Sequence, residues 1–202
     1  ITCRDWSSDV CSSDLAHFLQ SLGELLWVIR IVLFTALVLH IITSIRLKLY
    51  NASAKPVKYA VKNYVKAKLT SRTMIWTGIM IFAFLLYHLL HFTIGVTDPE
   101  TFSKNNLELY GPNNLFERPD AYLMVIKGFQ QPLVSILYII GVVLMGFHLS
   151  HAIQSMFQTL GFNHPSYFPC IVKSSNALSV IIVLCLIAIP VTILAGLVGG
   201  CV

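Results

Sequence analysis

Four stretches of this chain, 22–46, 73–95, 132–158 and 176–200, are apolar for long enough to cross a bilayer. A hydrocarbon layer of roughly 30 Å takes about 20 apolar residues at about 1.5 Å each. A backbone in lipid finds no water and must satisfy its own hydrogen bonds, so single stretches of this length cross as helices. The sequence therefore predicts an all-α integral membrane bundle with four transmembrane helices. Composition agrees, with 56% of 202 residues hydrophobic and 11% charged, where a soluble domain carries about 25% charged residues. Nothing between the stretches is long enough to build a second domain.

The net charge of +5 is unevenly spread. Residues 46–72 hold eight bases (Arg46, Lys48, Lys55, Lys58, Lys62, Lys66, Lys68, Arg72) and no acid. Residues 96–131 hold five acids (Asp98, Glu100, Glu108, Glu117, Asp120) against three bases. Short loops rich in Lys and Arg stay on the cytoplasmic side. The first span is thus expected to run inward, the second outward, the third inward and the last outward. A basic run can also meet nucleic acid or anionic lipid. Between two spans it reads as a topology determinant and a docking face for a cytoplasmic partner, with no nucleic acid implied.

Residues 1–15, ITCRDWSSDVCSSDL, differ in character from the rest. They mix Ser, Asp and Cys with no apolar run, so they do not form a signal peptide. The string looks like a translated sequencing adapter, and the alternative is a disordered tail. The bundle is expected to occupy 16–202 and to have lost a native segment ahead of Ala16. The five cysteines show no paired spacing and no Cys-x-x-Cys-His haem-attachment motif.

Five of the seven histidines lie inside the predicted spans: His40, His88, His91, His148 and His151. Ionisable residues are rare and costly in lipid, and five on three helices mark a functional site rather than isolated helix contacts. Depth sorts them. His40 lies six residues before Arg46, roughly 9 Å from the cytoplasmic end. His148, ten residues before Gln158 on a span that also arrives at the cytoplasm, is expected at a similar level. His88 is fifteen residues past Thr73 on an outgoing span, hence in the outer half. Two imidazoles from separate helices at one level can clamp a haem iron from both sides. The expected inner pair is His40 with His148. His88 has no histidine at its level, which places its partner on a span ahead of residue 16. That predicts two stacked haems in an intact protein and at most one complete site here.

The pairs His88/His91 and His148/His151 are spaced i, i+3 and share a helix face. Either one member ligates iron while the other bonds a haem propionate or water, or the pairs belong to a non-haem di-iron site of the membrane-desaturase kind. A di-iron site needs many histidines at one level, whereas these lie at two. Gly141, two turns before His148, and Gly146 allow close approach of a macrocycle or of a neighbouring helix. Arg30 can pair with a propionate or reach back to the headgroups. His17 and Glu24 at the outer end are weak candidates for handling quinol protons. Pro190 is expected to kink the last span, Trp27, Trp76 and Tyr50 to anchor span ends, and Tyr87 and Tyr138 to pack.

At these residues the chain resembles the cytochrome b subunits of succinate dehydrogenases and fumarate reductases, in the class with one five-span anchor polypeptide and two b haems. The similar segments are AHF at 16–18, VLHIITSI around His40, KPVKYAV at 55–61, LLYHLLHF around His88 and GFHLSHAIQSMFQTLGFNH at 146–164. The resemblance implies that His40, His88 and His148 match the axial ligands of the second, third and fourth family spans. The family's first span and its ligand have no counterpart here, and His91 and His151 match no axial position. It further implies haem b as cofactor, menaquinone or another quinone as substrate, flavoprotein and iron–sulfur subunits docking from the cytoplasm, and a bacterial inner membrane. The succinate chemistry would belong to the partner subunits. A haem b subunit of another quinone-linked dehydrogenase or hydrogenase and a haem-free proton-coupled transporter are the alternatives. The second of these would be expected to show internal repeats and broken helices.

Overall fold

The computed structural model describes residues 18–19, 21–54, 69–97, 99, 107–110, 116–119 and 121–198. The adapter-like segment 1–15, His17, Asp98, Glu100, Asp120 and the basic run from Lys55 to Lys68 lie outside the described residues.

In chain order the elements are α1 (Glu24–Ser53), α2 (Leu69–His88) continued by a π-helical turn (Leu89–Ile94), β1 (Leu107–Tyr110), β2 (Phe116–Pro119), α3 (Ala121–Gln130), α4 (Pro132–Thr159) and α5 (Phe168–Leu194). Among the described residues, four helices are long and apolar enough to cross a membrane: Glu24–Ser53, Arg72–Ile94, Pro132–Thr159 and Phe168–Leu194. These are the four expected spans, and among the described residues the protein is an all-helical membrane bundle apart from one short hairpin.

The ends of the helices follow from local chemistry. The last span begins at Phe168 rather than 176. Pro169 sits in its first turn, where a missing N–H costs nothing. Lys173, Ser174, Ser175 and Asn176 then continue the helix although they lower its hydropathy. It runs on through the buried Pro190, as membrane helices permit. The π-helical turn closes on Gly95 at φ 76°, whose N–H reaches back to the Leu90 carbonyl, a left-handed stop that glycine adopts without penalty. Gln131, ahead of Pro132, is extended at ψ 113°, as a residue before proline must be. That break separates α3 from α4.

Two features between the second and third spans are additions to the sequence reading. Strands β1 and β2 pair antiparallel, Leu107 with Pro119 and Tyr110 with Phe116. The Gly-Pro-Asn-Asn between them is a turn-forming sequence. Helix α3 is short and buries Ile126, Gly128 and Phe129. Ser135, fully buried, donates its hydroxyl to the Phe129 carbonyl at 2.6 Å and so ties the end of α3 to the first turn of α4.

Helix α4 is the centre of the bundle, packing on α5 along its length and on α2. Helix α1 buries no residue. The hydrophobic core gathers at the hairpin end of the bundle, where Ile126, Phe129, Val134, Tyr138 and Ile193 pack with Phe84, Phe92 and Val125. Lipid is as apolar as leucine, so close packing rather than expulsion from water holds these helices together.

Glycines supply that closeness. Gly141 of α4 receives the ring of Phe84 from α2, and a Cβ there would clash with three of the ring's carbons. Gly146 receives a methyl of Val183 from α5. Both glycines thus let a neighbouring helix approach, one of the two sequence readings. Gly141→Ala forces an aromatic ring and two helices apart and is expected to destabilise the protein by about 1–3 kcal/mol, the range for overpacking. Gly146→Ala meets a single methyl rather than a ring and should cost less. Thermal unfolding in one detergent, comparing both variants with the parent, checks the order.

Candidate functional site

The α2–α4 contact runs in a single antiparallel register. Each step toward the C-terminus of α2 is matched by a step toward the N-terminus of α4. Thr77 thereby meets His148, Phe84 meets Gly141, and His88 meets Tyr138. This one register creates two polar levels. Tyr138 and His148 are ten residues apart on α4, roughly 15 Å along the axis, and the Phe84–Gly141 contact lies between them.

At the basic-loop end, the rings of His40 of α1 and His148 of α4 lie with centroids 6.3 Å apart and planes at 79°. An imidazole nitrogen lies about 2 Å from a metal that it ligates, so two imidazoles on opposite sides of one ion have centroids roughly 6 Å apart. The spacing fits. His40 is exposed and His148 half-buried. The Nδ1 of His148 lies 3.2 Å from the Thr77 hydroxyl, and the ring lies beside Gly78, where an added Cβ would be 3.6 Å from its Cε1.

At the hairpin end, the hydroxyl of Tyr138 lies 3.1 Å from Nδ1 of His91 and 3.4 Å from Nδ1 of His88. One phenolic proton cannot serve both, so at least one of these rings carries its own proton on Nδ1. His91 and Tyr138 are 5% and 6% exposed, and each polar atom so placed needs a partner. Tyr87 stacks on His91 with centroids 5.6 Å apart. A Cβ on Gly128 of α3 would be 3.3 Å from the His91 ring, so glycine there lets α3 lie against the imidazole. Among the described residues the rings in contact with His88 are Phe84, Phe92 and Tyr138, none of them a histidine.

The other candidates lie apart from these levels. His151 is one turn past His148 and its Nε2 is 3.2 Å from the Ser155 hydroxyl on the same helix. Arg30 sits over the Trp27 ring at 5.2 Å, pointing toward the start of α1 as side chains on a helix do. Arg30 is exposed and His151 half-buried. Further along, Ser150 donates to the Asn176 side-chain oxygen at 2.6 Å and Gln154 to the same atom at 3.0 Å. These three residues clip α4 to α5.

Thr77, Gly78 and the hydrogen-bonding role of Tyr138 are not apparent from spacing. Each depends on which residue stands opposite on another helix, information that a period along one chain does not carry. The matching register of α2 and α4, counted back from their polar ends, is the signal that points to them.

The donor set has a definite chemistry. Two neutral imidazoles from separate helices are what a b-type haem asks of a protein, since the macrocycle supplies the equatorial nitrogens itself. Among the described residues no three or more His, Cys, Asp or Glu side chains gather in a group suited to a metal ion, whereas a di-iron site needs such a group. The chain matches no family model, no curated protein and no solved structure.

Proposed function

We propose that this chain is the membrane anchor and electron-transfer subunit of a succinate:quinone oxidoreductase. The observation that carries this reading is the His40–His148 pair, two imidazoles from separate spans with ring centroids 6.3 Å apart. The motifs around both residues, with their likeness to succinate dehydrogenase and fumarate reductase cytochromes b, supply the rest.

In this reading His40 and His148 are the axial ligands of an inner b haem, and His88 is one ligand of an outer haem. Haem bound between them supplies a one-electron carrier between an iron–sulfur subunit and membrane quinone, menaquinone on the resemblance. The protein's own task is to present the imidazoles in fixed orientation from helices that exclude water. A potential is then set by the ligands, their hydrogen bonds and the dryness of the surroundings. Tyr138 and His91 form the polar surroundings of His88. Arg46 and Lys48, exposed at the end of α1, begin the basic surface on which an iron–sulfur subunit would dock from the cytoplasm. A flavoprotein behind it would carry out the succinate chemistry. The membrane is then the bacterial inner membrane.

Reduced-minus-oxidised absorption spectra of the purified chain test the proposal. A b-type α-band is expected, lost on His40→Ala or His148→Ala and retained in His151→Ala. A colourless protein with every imidazole intact overturns it and favours a haem-free transporter. Reversing Arg46 and Lys48 to Glu should lower co-purification of the iron–sulfur and flavoprotein subunits at low ionic strength. The loss should shrink as salt shortens the screening length to about 3 Å at 1 M. Co-purification of a hydrogenase or formate dehydrogenase subunit instead would redirect the assignment to another quinone-linked enzyme.

A further inference from the structure

His148 offers two ring nitrogens, and a histidine that ligates through Nε2 must carry its proton on Nδ1. Which tautomer forms is decided by what Nδ1 meets. It meets the hydroxyl of Thr77, at 3.2 Å.

That hydroxyl has one proton, and its direction is set within α2. Thr77 Oγ1 lies 3.0 Å from the Met74 carbonyl and 3.3 Å from the Thr73 carbonyl. Both are acceptors only, and a threonine in a helix commonly donates back to such carbonyls. With its proton engaged there, the oxygen is left with lone pairs to present to His148. Nδ1 must then be the donor, since a lone pair on Nδ1 would face a lone pair on oxygen. The ring is fixed as the Nδ1–H tautomer, and the lone pair resides on Nε2.

We infer that Thr77 is a positioning residue for the inner haem: by accepting the Nδ1 proton of His148 it sets that ring's tautomer and orientation and leaves Nε2 ready to bind iron. The inference rests on the haem reading for its purpose, but the hydrogen bond stands on the geometry alone. Three features favour a bond built for this task. Thr77 sits on a different helix from His148, so the ring is oriented by the bundle rather than by its own helix. A Cβ at Gly78 would meet the ring only in ordinary contact, 3.6 Å from its Cε1, so the ring lies alongside the face of α2. The bond is half-buried, so water competes poorly for it. A ring that donates from Nδ1 is also a more basic ligand through Nε2. This favours ferric over ferrous iron and lowers the potential of a haem held there.

The test uses the full chain in detergent and three variants. Thr77→Val keeps the shape and removes the acceptor, Thr77→Ser restores it, and His151→Ala controls for the neighbouring imidazole. Nitrogen-15 NMR of histidine-labelled, haem-free protein reads the tautomer directly. His148 is expected as Nδ1–H in the parent and in Thr77→Ser, and shifted toward Nε2–H in Thr77→Val. Titration with haem b should then show affinity lowered about 10–100-fold in Thr77→Val, the usual cost of losing a partner behind a metal ligand. Any haem retained should have a raised midpoint potential, with both properties returning in Thr77→Ser. An Nε2–H His148 in the parent, or Thr77→Val indistinguishable from it in tautomer and affinity, overturns the inference. A parent chain that takes up no haem defeats the haem reading instead, and the tautomer measurement, made without haem, still decides for or against Thr77.

Discussion

The seating of Phe84 against Gly141 sets the height of α2 against α4, and both polar levels inherit that height. A helix pair in lipid cannot rely on expulsion of apolar surface from water, so its register must be fixed by shape. An aromatic ring filling the notch left by a glycine does this at a single point. Sliding α2 by one turn, about 5.4 Å, would unseat the ring. It would also part Thr77 from His148 and Tyr138 from His88 and His91. One apolar contact thus governs two sets of hydrogen bonds.

The polar groups show how the bundle tolerates them. None of the imidazoles on α2 and α4 stands alone: His148 has Thr77, His88 and His91 have Tyr138, and His151 has Ser155. Unpartnered polar groups in an apolar medium cost several kcal/mol each by transfer estimates, on the order of 4–8. Such partnering is what allows these four histidines to persist on two spans. His40 differs. It sits on α1, which buries no residue, and its ring neighbour is His148 itself.

The number, approximate bounds and helical nature of the spans were legible because lipid converts a simple quantity, consecutive apolar length, into structure. The His40–His148 pairing was legible for a related reason. Helix rise is constant, so counting residues from a charged boundary gives depth, and depth alone proposed the pair. What sequence did not disclose depends on azimuth, which is read only once helices are assembled. Gly141 and Gly146 lie near the histidine face in sequence, yet they meet Phe84 and Val183. Tyr138 looked like packing and proves to bridge two imidazoles. Residues 107–110 and 116–119 were too short and too polar to stand out beside the spans, so the hairpin emerged only with pairing. The start of α5 was hidden because Lys173 and Asn176 lower hydropathy without opposing the helix.

The π-helical turn at Leu89–Ile94 carries an implication about chain length. On its α2 side the helix is seated by Phe84 and His88, and within the turn itself Phe92 packs against Phe129, with centroids 5.5 Å apart. A rod clamped at both ends cannot rotate to absorb a surplus residue, so the surplus swells one turn locally. The arc between the two clamps is longer than a regular helix would need. Its tolerance to change is therefore governed by residue number before residue identity: a substitution at Leu90 alters a surface, whereas an inserted or deleted residue resets the phase between the clamps and swings His91 away from Tyr138.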